Sequence, residues 1–302
     1  MPHADLSNEL RGSMTALVTP FLQGEIDWPR LDALVDRQID AGTDWLVPCG
    51  TTGESPTLTE PEREAMLQRV VAQSGGRRPV LAGTGTYSTA ETIHRTRRAA
   101  ELGANAALLV APYYNRPTPE GLYAHFAAVA EAVDLPLVLY NVPFRTGVTI
   151  PNDVVIRLRR SHRNVVAIKH ATGSVDGVTE LLASGDIAVL SGDDALTWPL
   201  MALGAVGTIS VVSNLAPVLI RSAVQAALEG DLAEARQYHR KVHDLALGLG
   251  RFGPNPLPIK TAMALAGLLE EEFRLPLCPL DAEARSGVKG LLRRYELLQQ
   301  AD

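Results

Sequence analysis

A repeat of pattern rather than of letters constrains this chain most. A short apolar run, a polar loop and a longer stretch of helical periodicity recur about eight times before residue 230. Such alternation signals parallel strands covered by helices, because a parallel pair needs a crossover long enough to hold a helix. The strand candidates are residues 14–18, 45–48, 79–82, 106–110, 137–140, 165–169, 187–190 and 206–210. Helical spacing marks residues 28–41, 60–74, 89–102, 119–133 and 175–183. Thr59 and Glu62 stand at capping-box spacing, and Pro61 and Pro119 suit a first helical turn. Eight short strands alternating with helices of roughly 10 to 15 residues predict a closed (β/α)8 TIM barrel, with an open doubly wound sheet as the alternative.

After residue 230 the strand signal stops. Residues 231–249, 257–269 and 280–300 read as three helices, separated by Gly/Pro-rich residues 250–258 and by residues 275–279. The expected organisation is an amino-terminal arm (1–12), a catalytic barrel (13–230) and a C-terminal three-helix appendix (231–302).

Composition excludes several classes. Hydrophobic residues at 46% and charged residues at 21% are ordinary globular usage. A net charge of -6 argues against a nucleic-acid partner, and Arg157-Leu158-Arg159-Arg160, the densest basic stretch, reads as a solvated helix end. The two cysteines, Cys49 and Cys278, lack paired spacing and fit a reducing compartment. No apolar run reaches membrane-spanning length, and the amino terminus lacks a basic region followed by an apolar core; the expectation is a cytoplasmic chain without a membrane partner. His239 and His243 stand at helical spacing without a third ligand, Asp193-Asp194 alone is a weak cation site, and no dinucleotide fingerprint or Gly-x-Ser-x-Gly elbow occurs. Neither a metal nor a cofactor is expected.

In such a barrel the active site forms at the carboxyl ends of the strands. Lys169 closes the apolar run Val165-Val166-Ala167-Ile168 and precedes the small, polar Ala171-Thr172-Gly173. Loss of water disfavours the charged ammonium, and the neutral amine is a nucleophile; a strand-end lysine that snorkels to water is the plainer alternative. The second strand leads into Gly50-Thr51-Thr52-Gly53-Glu54-Ser55, whose amides and hydroxyls suit a small carboxylate or merely lead into a helix. The fourth leads into Ala111-Pro112-Tyr113-Tyr114-Asn115-Arg116-Pro117, the fifth into Tyr140-Asn141-Val142-Pro143-Phe144-Arg145-Thr146-Gly147. A tyrosine hydroxyl beside a reacting amine shuttles protons, whereas a buried tyrosine elsewhere is a capped hydrophobe. Arg145 is either a fork for a substrate carboxylate or a loop brace. Ser191-Gly192-Asp193-Asp194 and Thr208-Ile209-Ser210 leave room beside Lys169.

Together these motifs, with Asn255-Pro256-Leu257-Pro258-Ile259-Lys260 in the appendix, resemble the pyruvate-dependent class I aldolases typified by dihydrodipicolinate synthase, the N-acetylneuraminate lyase family, over nearly the whole chain. The resemblance implies a barrel with three C-terminal helices, assembled as a homotetramer of two tight dimers. It implies that Lys169 forms a Schiff base with pyruvate, that Tyr140, Thr51 and Tyr114 relay protons, and that Tyr114 crosses the tight interface. Thr51 and Thr52 hold the pyruvate carboxylate, Gly192 and Ile209 line the pocket, and Arg145 binds the carboxylate of aspartate semialdehyde. Relatives acting on 2-keto-3-deoxy sugar acids usually lack the arginine, so such an aldolase or dehydratase is the first alternative, and a non-catalytic pyruvate-binding paralogue the second. Two departures stand out. His170 replaces the family's usual acid, which alters a charge beside the Schiff base. Of the positions matching the lysine-inhibition pocket, Glu91 and Tyr113 fit sensitive members, while Glu60, Arg63 and Tyr87 do not; weak or absent inhibition by lysine is expected.

Overall fold

The computed structural model describes residues 10–184 and 187–298. Most of the expected arm (1–9) and the end of the last expected helix (299–300) lie outside the described residues. The strands are β1 (Gly12–Ala16), β2 (Phe21–Leu22), β3 (Glu25–Ile26), β4 (Trp45–Val47), β5 (Leu81–Gly83), β6 (Ala106–Val110), β7 (Leu137–Asn141), β8 (Val165–His170), β9 (Ala188–Ser191) and β10 (Gly207–Ser210). β2 and β3 form a small antiparallel hairpin that the pattern does not announce. The other eight pair in the order β4-β1-β10-β9-β8-β7-β6-β5, every pairing parallel. A parallel bridge between Leu46 and Val80 joins the two ends of that order, with Gly83 N donating to the Pro48 carbonyl at 3.0 Å. The sheet is therefore a closed barrel, the expected TIM fold.

The helices are α1 (Trp28–Asp40), α2 (Glu60–Ser74), α3 (Thr89–Glu101), α4 (Pro119–Ala132), α5 (Pro143–Thr146), α6 (Asn152–Ser161), α7 (Val178–Ala183), α8 (Thr197–Leu203), α9 (Pro217–Glu229), α10 (Leu232–Gly250), α11 (Leu257–Leu265) and α12 (Ala282–Arg294). The capping box forms: the Thr59 hydroxyl accepts from Glu62 N, and the Glu62 carboxylate accepts from Thr59 N at 2.8 Å. α7 starts three residues later than its spacing predicts, because Gly177 caps it with a left-handed φ of 75°.

Strand pleating sorts side chains into two cores. In β6, Ala106 and Leu108 face the barrel interior, while Ala107 and Leu109 pack outward under the helices. β7 repeats this, with Val138 and Tyr140 inward and Leu137 and Leu139 outward. In β8, Ala167 faces inward and Ile168 outward. The next residue, Lys169, therefore points into the barrel, and His170 points out. Beyond the barrel, α9 to α12 share an apolar core containing Ile220, Val242, Leu245, Ile259, Met263 and Leu291. Val18, just past β1, and Leu34 of α1 belong to that core too, so the C-terminal helices are packed onto the barrel wall.

Candidate active site

Lys169 and Tyr140 are directly opposed partners on β8 and β7. Both are inward and buried, and Lys169 is 5% exposed. Its Nζ lies 4.3 Å from the centre of the Tyr140 ring, and among the described residues no carboxylate pairs with it. The strand-end lysine does not snorkel to water. It faces a cavity of about 210 Å³ whose walls include Thr51, Thr52, Tyr140, Arg145, Gly192 and Asn255.

Each wall has a local cause. Thr51 and Thr52 open a 3-10 turn, Thr51–Gly53, straight after β4, and the turn is anchored by Thr19 Oγ1 donating to the Gly53 carbonyl at 2.6 Å. Gly192 gives Lys169 its room: a Cβ there would stand 2.8 Å from Lys169 Cε and 2.7 Å from Ala171 Cβ. Arg145 ends the short α5, stacks on Phe144 and donates through Nη2 to the Asn255 carbonyl at 2.8 Å. Asp194 Oδ2 accepts from the amides of Val211 and Val212, each at 3.0 Å. Burial pushes its carboxyl above the usual carboxylate range, against those hydrogen bonds and one from Ser210.

Two expected residues are not brought to the cavity. Ile209 has no exposed surface, belongs to the barrel-interior cluster with Met14, Tyr140 and Leu190, and is not among the residues that line the cavity. Tyr114 is 94% exposed, at a left-handed φ of 72°. Its loop is nonetheless fixed: Tyr113 meets Tyr87 edge to face at 5.4 Å, and Asn115 Nδ2 donates to the Tyr87 carbonyl at 3.1 Å. The loop aims Tyr114 away from its own barrel.

His170, on the outer face of β8, does not touch the amine. Its Nε2 lies 3.3 Å from Thr172 Oγ1, and burial lowers its pKa. His239 stacks on Trp198 and His243 at 5.3 and 5.5 Å, and among the described residues no cluster of His, Cys, Asp and Glu is arranged to hold a metal ion. No helix among the described residues is long and apolar enough to cross a membrane.

The sequence reading missed seven walls: Asn255, then Ala195, Val211 and Val212, and Ala246, Leu247 and Leu249 of α10. Asn255 opens a motif quoted above, which was the available signal; the three apolar residues of α10 carried none.

The sequence model of the dihydrodipicolinate synthetase family matches residues 9–295. The chain belongs to that family. The 4-hydroxy-tetrahydrodipicolinate synthase of Trichlorobacter lovleyi is 49% identical over 291 residues, 95% of this chain and 99% of that protein. The crystal structure of the dihydrodipicolinate synthase of Aquifex aeolicus superposes with a TM-score of 0.94 at 44% identity, over 97% of this chain and all of that one. The chloride-inhibited enzyme of Acinetobacter baumannii, solved in complex with pyruvate, gives 0.93 at 43% identity, over 96% of this chain and all of that one. This dihydrodipicolinate synthetase family member is accordingly an enzyme, with a family barrel whose lysine, tyrosine and threonines converge on one cavity.

Proposed function

We propose that this enzyme condenses pyruvate with L-aspartate 4-semialdehyde to give 4-hydroxy-tetrahydrodipicolinate, with Lys169 as the nucleophile. The observation that carries the reading is the placement of Lys169 on the inner face of β8, opposed to Tyr140, unpaired with any acid among the described residues and open to a cavity walled by Thr51, Thr52 and Arg145. The curated relative named above and the relative solved with pyruvate support the same reaction.

The chemistry follows from those positions. The Lys169 amine adds to the keto carbon of pyruvate, water leaves, and an iminium forms. A proton lost from the methyl group gives the enamine, whose carbon attacks the aldehyde; the aldehyde oxygen takes a proton through Tyr140 and Thr51. The amino group of the semialdehyde then attacks the imine carbon, closes the ring and frees Lys169. Thr51, Thr52 and nearby amides hold the pyruvate carboxylate, and the Arg145 fork, braced by the Asn255 carbonyl, holds that of the semialdehyde. No metal or cofactor enters these steps.

Tyr114 completes the relay from a second copy. Its exposure within a braced loop supports that assignment, so the working enzyme is at least a dimer, and a dimer of dimers is the assembly we assign. Cys49 is buried and Cys278 exposed, both as free thiols, in keeping with the cytoplasm.

The test is condensation coupled to a dihydrodipicolinate reductase and followed by NADPH loss. Turnover that disappears in Lys169→Ala establishes the reading. Arg145→Ala should lose the semialdehyde reaction while borohydride still traps pyruvate on Lys169. Trapping without turnover in the wild-type chain, beside a working control, would transfer the assignment to a sugar-acid aldolase.

A further inference from the structure

Lys260 ends the motif Asn255-Pro256-Leu257-Pro258-Ile259-Lys260, and its side chain is fully buried. Its Nζ lies 2.5 Å from Glu54 Oε1 and donates to the Glu272 carbonyl at 2.6 Å. The rings of Phe21 and Phe273 flank it at 4.5 and 4.7 Å. The other Glu54 oxygen accepts from Arg274 N at 3.2 Å. Four stretches of chain thus meet on one carboxylate and one ammonium.

Stability does not account for this arrangement. Removing two charges from water costs several kcal/mol per ion, and a well-packed apolar pair of similar volume is often equally or more stable. Direction does account for it. Glu54 ends the Thr51–Gly53 turn in the left-handed region, at a φ of 53°, a conformation unfavourable for a non-glycine residue. Its amide donates to the Thr51 carbonyl at 3.1 Å, so wherever Glu54 is held, Thr51 and Thr52 are held. At the other end of the same motif, the Asn255 carbonyl takes the Arg145 guanidinium. One segment of the C-terminal helices therefore reaches both carboxylate-binding loops.

We propose that Lys260 and Glu54 are positioning residues, whose ion pair locks the Thr51–Thr52 turn in the geometry that receives the pyruvate carboxylate; the inference rests on the reading of the site given above. The pair acts at a distance from the reacting atoms, through the backbone of the turn.

The experiment compares Lys260→Met, Glu54→Gln and the double variant Lys260→Met/Glu54→Met in the full chain. Each single change strands a charge and lowers thermal stability, and the double change recovers most of it. In the double variant, amide exchange followed by mass spectrometry should accelerate at least about tenfold in the peptide covering residues 50–57 and stay unchanged over β8. Borohydride trapping of pyruvate on Lys169 should slow roughly 10- to 100-fold, with the aldehyde KM moving less than about threefold. A stable double variant with wild-type exchange in the turn overturns the proposal, as does a loosened turn with wild-type trapping. If the double variant does not fold, Glu54→Gln decides: its side chain keeps the shape but loses the charge and one of the two accepting oxygens, and undiminished trapping in it overturns the proposal. Wild-type protein that traps no pyruvate overturns the catalytic reading and the proposal with it; failure of the proposal alone leaves wild-type trapping intact.

Discussion

Lys169 and Lys260 are the same side chain in two kinds of burial. Lys260 is met by a carboxylate, a carbonyl and two aromatic rings, and no room is left around it. Burial lowers its pKa, and Glu54 pulls the other way. Lys169 has a tyrosine ring on one side, a glycine on the other and open volume ahead, with no acid paired to it among the described residues. On the function and the ion-pair role proposed above, the difference teaches how one barrel uses a buried amine as a strut in one place and as a reagent in another. Counter-ion and space decide the role, and depth of burial does not.

Swapping each lysine for an uncharged residue breaks the comparison most directly. Lys169→Ala should abolish trapping and reduce turnover by at least about 10³-fold, while its urea midpoint stays near wild type, because no partner is stranded. Lys260→Met should do the reverse to stability, costing about 3–5 kcal/mol in urea unfolding, because Glu54 is left buried and alone. Equal stability losses in the two variants would remove the distinction.

The space ahead of Lys169 can be closed without touching the amine. Gly192→Ala places a methyl group 2.8 Å from Lys169 Cε and 2.7 Å from Ala171 Cβ, so the lysine chain must shift. Displacement of a reacting group by about 1 Å costs on the order of 10²-fold in rate, so trapping should slow by that factor in a variant that still folds. Unchanged trapping would show that crowding is irrelevant to the role of Lys169.

Much of this was legible in the sequence because it is local. Strand length and alternation gave the closed barrel, and the same alternation puts Lys169 and Tyr140 on the inner face and His170 on the outer one. The pairing of Lys260 with Glu54 spans 206 residues and that of Arg145 with Asn255 spans 110, and no periodicity reports contacts of that range. Whether a strand-end residue such as Ile209 presents its side chain to a cavity depends on the tilt of the strand, which is set by the whole barrel.

A third buried base sharpens the role of the counter-ion. His125 is on the buried face of α4 with Nδ1 at 2.9 Å from Thr89 Oγ1, and burial lowers its pKa to about 4. In the unfolded chain the imidazole titrates near its ordinary 6.5, so between those values the unfolded state binds the extra proton. Stability present above pH 6.5 is therefore lost as pH falls toward 4. At pH 5 the loss should be about 2 kcal/mol relative to His125→Gln, read from urea unfolding of both proteins at pH 7 and pH 5. Parallel pH profiles would show that the ring is already solvated.

The smallest effect expected is none at all, and it follows from the same rule applied to an amine in solution. A cavity of about 220 Å³ beside the catalytic one is lined by Ser55, Pro56, Arg63, Arg95, Tyr113 and Arg145 among others, with three guanidinium groups and no carboxylate in its wall. The acids nearby, Glu60 and Glu91, are both engaged by Arg95. Arg63 is buried, and its Nη atoms donate to the Ser55 and Gly83 carbonyls. Lys260 is buried with a carboxylate within hydrogen-bond reach, and this cavity supplies none to the side chain of free lysine. Heat-flow titration should find no sub-millimolar binding of lysine and no loss of rate. If lysine did bind there and inhibit, Glu60→Gln and Glu91→Gln would show which acid had left Arg95 to receive it, and the rule drawn from the two buried lysines would not extend beyond them.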